Sequence, residues 1–77
     1  MSESCFPLNK LKIGKCATVK QVNCREDMMV RLEDIGLVPG TKVTCLQKSP
    51  LGDPVAFRIR GAVIALRSDD AAGIIVG

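Results

Sequence analysis

The stretch Arg31-Leu32-Glu33-Asp34-Ile35-Gly36-Leu37-Val38-Pro39-Gly40 predicts the end of a helix and a tight turn into a strand. Counted back along a helical pitch, its apolar residues share one face with earlier ones, and that face comprises Cys24, Met28, Leu32 and Ile35. Such spacing is typical of an amphipathic helix. Asn23 is the expected N-cap, because Glu26 follows three residues later as in a capping box.

A glycine and a Pro-Gly pair are expected to end that helix. Glycine adopts the left-handed conformation that ends many helices without steric cost, and Leu37 is then expected to fold back on Leu32. In Val38-Pro39-Gly40-Thr41, proline presets φ at one central position and glycine accepts a positive φ at the next. This is the signature of a type II turn, so the chain is predicted to reverse here and enter a strand.

Length and composition restrict the class of protein. The 77 residues are expected to form one small domain over residues 1–77, with a flexible tail at residues 1–7. A hydrophobic fraction of 47% and a charged fraction of 25% are typical of a globular protein. The chain has no histidine, the commonest general base near neutral pH, and no paired carboxylates on adjacent elements. We therefore expect neither enzymatic activity nor a cofactor.

Charge and hydropathy indicate where the protein works. A net charge of +3 and only two phenylalanines give little basis for contacting nucleic acid through phosphates and stacked bases. No apolar run approaches the roughly 20 residues that span a bilayer, and the first residues show no signal-peptide pattern. We expect a cytoplasmic protein that does not itself cross the membrane and does not bind nucleic acid.

The rest of the chain reads as short strands separated by turns. Val55, Phe57 and Ile59 alternate with Arg58 and Arg60, so the two arginines are expected to face outward. Other strands are predicted at residues 16–22, 42–48, 62–66 and 74–76, with one helical turn at residues 68–72 that ends at Gly73. Structural roles in turns are assigned to Gly36, Gly40, Gly52 and Gly61.

These elements predict a mostly β fold. In so short a chain, closing the strands into a partly open barrel buries one face and limits exposed edges. The expected fold is a small SH3-like partly open barrel of about five strands, with one α-helix inserted and a short helical turn before the last strand.

The cysteines at positions 5, 16, 24 and 45 give weak evidence for a metal site. Structural zinc sites usually take paired ligands from one tight knuckle, and this chain has no Cys-x-x-Cys pair. Cys16, Cys24 and Cys45 lie within apolar patterns and are expected to be small buried side chains, while Cys5 is expected in the tail. A transition-metal site built from the four thiolates is kept as an alternative.

The order and spacing of these motifs resemble the FeoA family. The resemblance covers residues 8–76 and depends on Arg31-Leu32-x-Asp34-x-Gly36-Leu37-x-Pro39-Gly40, Ser49-Pro50-Leu51-Gly52-Asp53-Pro54 and Arg60-Gly61-x-x-Ile64-Ala65-Leu66-Arg67. It implies a cytosolic SH3-like accessory protein of ferrous iron uptake, without a reaction of its own. The implied partner is FeoB, a membrane transporter with a GTP-binding domain. The cysteines are not part of the family pattern.

Two surfaces are candidates for contacting such a partner. The first is an apolar corner at the helix end, comprising Leu37, Val38 and Pro39 beside Arg31 and Asp34. A helix end and a rigid turn lose little entropy on docking. The second is an outward basic row of Lys42, Arg58 and Arg60, suited to an acidic protein surface.

Alternatives remain open for both surfaces and for the function. Leu37 has a structural role if it only caps the helix, and singly exposed apolar residues such as Val38 and Pro39 are normal. The charged residues equally suit a solvated face. A nucleic-acid-binding SH3-like module is the other functional alternative, and an exposed edge strand leaves self-association open.

Overall fold

The computed structural model describes residues 5–77 as six strands and two helices. The strands are β1 (Phe6–Pro7), β2 (Cys16–Val22), β3 (Lys42–Lys48), β4 (Val55–Ile59), β5 (Ala62–Leu66) and β6 (Ile74–Val76). The helices are α1 (Glu26–Asp34) and α2 (Ser68–Ala72), and a 3₁₀ turn occupies Leu8–Lys10. No helix in residues 5–77 is long and apolar enough to span a membrane.

The strands form one antiparallel sheet in the order β1-β6-β2-β3-β4-β5. Register shifts between Val19 and Gln21 in β2 and between Cys45 and Gln47 in β3 are irregularities of the kind that bend a strand and increase its twist. The mostly β, open architecture expected from the sequence is confirmed.

The sheet has one more strand than expected, because Phe6 and Pro7 pair with Val76 and Ile75 of β6. The tail predicted for residues 1–7 was therefore wrong at its last two residues, and residues 1–4 lie outside the described part of the chain. Phe6 is half-buried and packs against the core.

The core lies on one face of the sheet and is almost entirely aliphatic. Strand β4 alternates as predicted, with Val55, Phe57 and Ile59 buried and Arg58 exposed. Fully burying one such apolar side chain contributes about 1.5–3 kcal/mol. The other large buried side chains are Leu8, Leu11, Leu32, Leu37, Leu66, Ile74, Val19, Val43 and Val76.

Helix α1 begins later than predicted. Its N-cap is Arg25, which makes no capping hydrogen bond through its side chain. The N–H of Asn23 donates to the Gly73 carbonyl at 2.6 Å, and the Asn23 Oδ1 accepts a 2.9 Å bond from Gln21 Nε2. These bonds hold Asn23 beside β6, so the capping box with Glu26 was wrong and Cys24 lies before the helix.

The predicted end of α1 and the turn after it are confirmed. The Gly36 N–H donates to the Glu33 carbonyl at 3.0 Å and the Leu37 N–H donates to the Leu32 carbonyl at 2.8 Å, which are the two bonds of a Schellman motif. Gly36 has φ +88°. The Thr41 N–H then donates to the Val38 carbonyl at 3.0 Å, closing the predicted turn.

Gly36 is also covered by a side chain from another part of the sheet. Strands β4 and β5 are joined by Arg60 and Gly61, whose φ angles of +52° and +83° match a type I′ hairpin turn. A Cβ atom at position 36 would collide with Cδ of Arg60. The absence of a side chain at Gly36 therefore serves both the backbone conformation and the packing of Arg60.

The loop between β3 and β4 is tied to the start of α2. The Ser68 N–H donates to Oδ1 of Asp53 at 2.7 Å, so a carboxylate from a distant loop satisfies the first turn of the helix. Within the loop, the Ser49 hydroxyl donates to the Pro54 carbonyl at 2.8 Å and the Gly52 N–H donates to the Ser49 carbonyl at 2.7 Å. The loop thus has a defined shape.

The cysteines lie in different environments. Cys45 is 0% exposed in β3 and Cys24 is half-buried, whereas Cys5 and Cys16 are exposed. The prediction of burial was wrong for Cys16, which opens β2 opposite Thr44. Burial raises the pKa of the Cys45 thiol, an effect that Lys48 only partly offsets. Burial and then the Asp70 carboxylate raise the pKa of the Cys24 thiol.

Replacing Gly36 should destabilise the fold. Gly36→Ala places a Cβ at a positive φ, which costs about 1–2 kcal/mol, and also displaces Arg60. Gly52→Ala is the matched control, since Gly52 has φ +82° and open space around it. Urea unfolding should show a larger loss for Gly36→Ala, and the excess should vanish in an Arg60→Ala background. Equal losses in the parent background would contradict the packing of Arg60 on Gly36.

Thiol labelling of the native protein should proceed in two phases. Cys5 and Cys16 are exposed and should react fast with a disulfide reagent. Cys24 and Cys45 should react at least about tenfold more slowly, because burial hinders the reagent and leaves less of the reactive thiolate. A raised pKa leaves less thiolate of Cys24 and Cys45 at a given pH, so raising the pH should accelerate the slow phase. Cys16→Ser should remove one fast equivalent. Four equal rates in native buffer would contradict the burial pattern.

Candidate functional site

Two concave surfaces flank the turn at residues 38–41. The first, the apolar groove, encloses about 220 Å³ between the end of β2, helix α1 and the turn, with Val22, Met29, Val38 and Pro39 among its lining residues. The second, the basic groove, has a larger volume of about 490 Å³. It is lined by Gly40, Thr41, Lys42, Thr44, Arg58, Arg60 and Gly61. Pro39 borders one groove and Gly40 the other, so the turn lies between them.

The apolar groove is presented by a braced turn. The Gly40 N–H donates to the Val19 carbonyl and the Val19 N–H donates to the Thr41 carbonyl, both at 2.8 Å. These bonds fasten the turn to β2 and hold Pro39 exposed and Val38 half-buried. Lys20 and Glu33 also line the groove and carry opposite charges. The arrangement suits an apolar side chain of a partner with polar groups around it.

The structure separates the residues of the predicted apolar corner. Leu37, Val38 and Pro39 all line the apolar groove, and Leu37, which is 1% exposed, also belongs to the core. Arg31 lies elsewhere, in a cleft between α1 and β5. Asp34 is exposed near the end of α1 and lines neither groove. The grouping of Arg31 and Asp34 with Val38 and Pro39 was therefore wrong.

The predicted basic row is brought together around the basic groove. Lys42 opens β3, Arg58 lies opposite Thr44 in the sheet register, and Arg60 occupies the hairpin turn. All three are exposed, and none forms an ion pair within residues 5–77. Arg60 also lies where α1 ends, and the partial negative charge of that end favours a cation. The groove therefore concentrates uncompensated positive charge.

The apolar groove also contains residues that were not predicted from the sequence, namely Val22, Met29, Lys20 and Glu33. Met29 and Glu33 are four residues apart on α1, so the spacing identifies them as neighbours on one helical face. No signal in the sequence connects that face with Val22, because the two lie on different elements that only the tertiary fold brings together.

The thiols do not converge in the described part of the chain. No group of three or more cysteine, aspartate or glutamate side chains within residues 5–77 is arranged to hold a metal ion. Cys16 lies opposite Thr44 in the register, and Thr44 precedes the buried Cys45, so Cys16 and Cys45 point to opposite faces of the sheet.

The family model for the FeoA domain matches residues 6–77 of this chain. The Fe(2+) transport protein A/Fe(2+) transporter FeoB fusion protein of Porphyromonas gingivalis is 38% identical over 67 residues. That alignment covers 87% of this chain and 8% of the fusion protein, so the chain corresponds to a small part of that relative.

Two solved structures have the same fold. The FeoA protein of Chlorobium tepidum is 38% identical with a TM-score of 0.89, and the match covers 92% of this chain and 68% of that one. The zinc complex of Stenotrophomonas maltophilia FeoA, described as a prokaryotic SH3 domain protein, is 26% identical with a TM-score of 0.82, covering 94% and 89%. These likenesses confirm the SH3-like fold. With its family model matched from residue 6 to residue 77, this chain belongs to the FeoA family.

Proposed function

We propose that this chain is an accessory protein of ferrous iron uptake that binds the cytosolic part of a FeoB transporter. Membership of the FeoA family supports the link to ferrous iron transport. The observation that carries the proposal is the fusion relative, in which transport protein A and FeoB form one polypeptide. A covalent link raises the effective concentration of one module at the other, which is useful where the two bind each other. The proposal places this chain in the cytoplasm.

The apolar groove is the contact that we assign to the transporter. Val22, Met29 and Val38 are half-buried, so a partner side chain that fills the groove removes their remaining apolar surface from water. The turn is already fixed by its bonds to Val19, so little conformational entropy is lost on docking. Rigid, partly buried apolar positions of this kind are where binding energy concentrates in interfaces.

The basic groove is assigned to electrostatic steering of the same partner. Lys42, Arg58 and Arg60 lie beside the apolar groove and have no described carboxylate to neutralise them. Charges that stay exposed at the rim of an interface act mainly on the association rate and on its salt dependence. The partner surface facing this groove is therefore expected to be acidic.

The proposal gives this chain no reaction of its own. Its effect on iron uptake is exerted through binding, in agreement with an accessory role. That the chain does not bind nucleic acid stays a prediction, and self-association stays open.

Val38→Asp should weaken binding to the cytosolic domain of the cognate FeoB by at least about tenfold, because it places a charge in a groove that binding desolvates. Isothermal titration calorimetry with the purified FeoB domain measures the affinity. Since Val38 is only half-buried, the free energy of unfolding should change by less than about 1 kcal/mol.

Val30→Asp is the control for Val38→Asp. Val30 is 55% exposed on α1 and lines neither groove, so the same substitution there should leave the affinity unchanged. If the Val38→Asp and parent proteins bind the FeoB domain with equal affinity, the apolar groove is not part of the interface. Failure of the parent protein itself to bind the FeoB domain would count against the proposed function.

Lys42→Glu/Arg58→Glu should slow association with the FeoB domain by about tenfold or more at low salt, with a smaller effect on dissociation. The difference from the parent should shrink as salt is added, because exposed charges are screened. Stopped-flow measurements at several ionic strengths test this. Arg31→Glu/Arg67→Glu reverses two charges in the cleft between α1 and β5 and is the matched control. A slowing that salt does not change would contradict steering.

A further inference from the structure

A second basic surface lies at the opposite end of β2 from the apolar groove. Residues 10–15, which we call the lysine turn, carry Lys10, Lys12 and Lys15 around Ile13. The three lysines border one concave surface together with the half-buried Phe6. The proposed function uses none of these residues.

The lysine turn is held in a defined shape. The Lys15 N–H donates to the Lys12 carbonyl at 3.0 Å, and Gly14 has φ +84°, so Ile13 lies at the tip of a tight turn. The Gly14 N–H donates to the Cys45 carbonyl at 2.8 Å, and the Cys45 N–H donates to the Lys15 carbonyl at 3.0 Å. These two bonds brace the turn against β3, and Ile13 is 57% exposed.

The charges around Ile13 are uncompensated. Residues 4–25 contain no aspartate or glutamate but include five cations, three of which belong to the lysine turn. None of those three lysines forms an ion pair with a carboxylate in the described part of the chain. An apolar tip surrounded by lysines matches a membrane interface, where the apolar group enters the headgroup region and the cations meet anionic lipid.

We propose that the lysine turn docks on an anionic lipid surface. Ile13 inserts among the headgroups, and Lys10, Lys12 and Lys15 lie against their phosphates. A nucleic acid offers phosphates as well, but an exposed isoleucine adds nothing to phosphate binding. The aromatic side chain beside the lysines, Phe6, is half-buried against the core and so offers little surface for base stacking. Each lysine near an anionic surface gains about fivefold in partitioning, so the contact is weak and reversible.

The lipid contact leaves the apolar groove free for the transporter. The lysine turn precedes Cys16, the first residue of β2, whereas the apolar groove includes Val22, the last. At about 3.3 Å per residue, the two ends of β2 lie roughly 20 Å apart. The inference therefore does not depend on the proposed function, and the two can be tested separately.

Cosedimentation of the full chain with lipid vesicles tests the proposal. The parent protein should bind vesicles of phosphatidylcholine mixed with phosphatidylglycerol, release them as salt is added, and ignore vesicles of pure phosphatidylcholine. Lys12→Glu/Lys15→Glu should lower the partition coefficient by more than about twentyfold. Ile13→Ser should lower it several-fold at constant charge.

Two variants control for charge and for exposed apolar surface. Lys42→Glu/Arg58→Glu makes the same change of net charge at the basic groove and should retain most of the vesicle binding. Leu51→Ser removes a side chain that is 94% exposed at the tip of the β3–β4 loop and should bind as the parent does. Circular dichroism checks that each variant is folded, and all are expected to fold because all six substituted positions are exposed.

Several results would overturn the proposal. They are equal binding to neutral and anionic vesicles, no binding to either, an equal loss from the two charge-reversal variants, or tighter binding to an oligonucleotide than to anionic vesicles. Titration of the FeoB domain with the Lys12→Glu/Lys15→Glu variant separates the two hypotheses, because that affinity should equal the parent's. A loss of FeoB binding together with vesicle binding would assign the turn to an acidic protein surface instead.

Discussion

The left-handed backbone of Gly36 is the constraint on which both candidate grooves depend. It ends α1 through the two Schellman bonds, and its carbonyl accepts a 2.8 Å hydrogen bond from the Thr41 hydroxyl. Arg60 lies across it on the side where any other residue would carry a Cβ. One residue thus fixes the direction of the helix, the turn that separates the grooves, and a cation of the basic groove. The shape of this surface is set by backbone geometry, with few side-chain hydrogen bonds.

The two grooves differ in the kind of interaction that they offer a partner, hydrophobic in one and electrostatic in the other. The apolar groove offers surface that is already half-buried, so its contribution to binding comes from releasing water and persists at high salt. The basic groove offers exposed cations, whose attraction is screened over about 8–10 Å in physiological salt. Because its cations have no described carboxylate partners, the basic groove contributes nothing to the stability of this chain through ion pairs. Its charge is available to an acidic surface.

The features that the sequence predicted correctly are those that depend on neighbouring residues. The end of α1 at Gly36, the turn that closes at Thr41 and the alternation along β4 each require only local backbone and burial preferences. The errors have a common cause in distant contacts. Asn23 is held by Gly73, and Phe6 pairs with Val76, and neither partner leaves a signal near the residue it affects.

Of the candidate site, the basic row could be predicted from the sequence, whereas the lining of the apolar groove could be predicted only in part. Lys42 and Arg58 share the outward side of two adjacent strands, and Arg60 lies in the hairpin turn that follows β4, so alternation and a hairpin place the three together. Arg31 and Asp34 were grouped with the turn because they are close in sequence, but successive residues of a helix point to different sides. Grouping Val22 with Pro39 required the hydrogen bonds that fasten the turn to β2, which no local pattern encodes.

The separation of the lysine turn from the apolar groove along β2 gives a small chain two separate contacts. The lysine turn lies before β2 and the apolar groove adjoins its far end, so a surface that holds one end leaves the other accessible. A weak attraction of the lysine turn to lipid confines the chain near the membrane and raises its effective concentration at a membrane-embedded partner without any new contact to that partner. Neither contact then needs to be strong, which agrees with a site whose apolar part is a single groove. An accessory protein that must reach and leave a transporter is well served by two weak, separable contacts, because losing either one releases it.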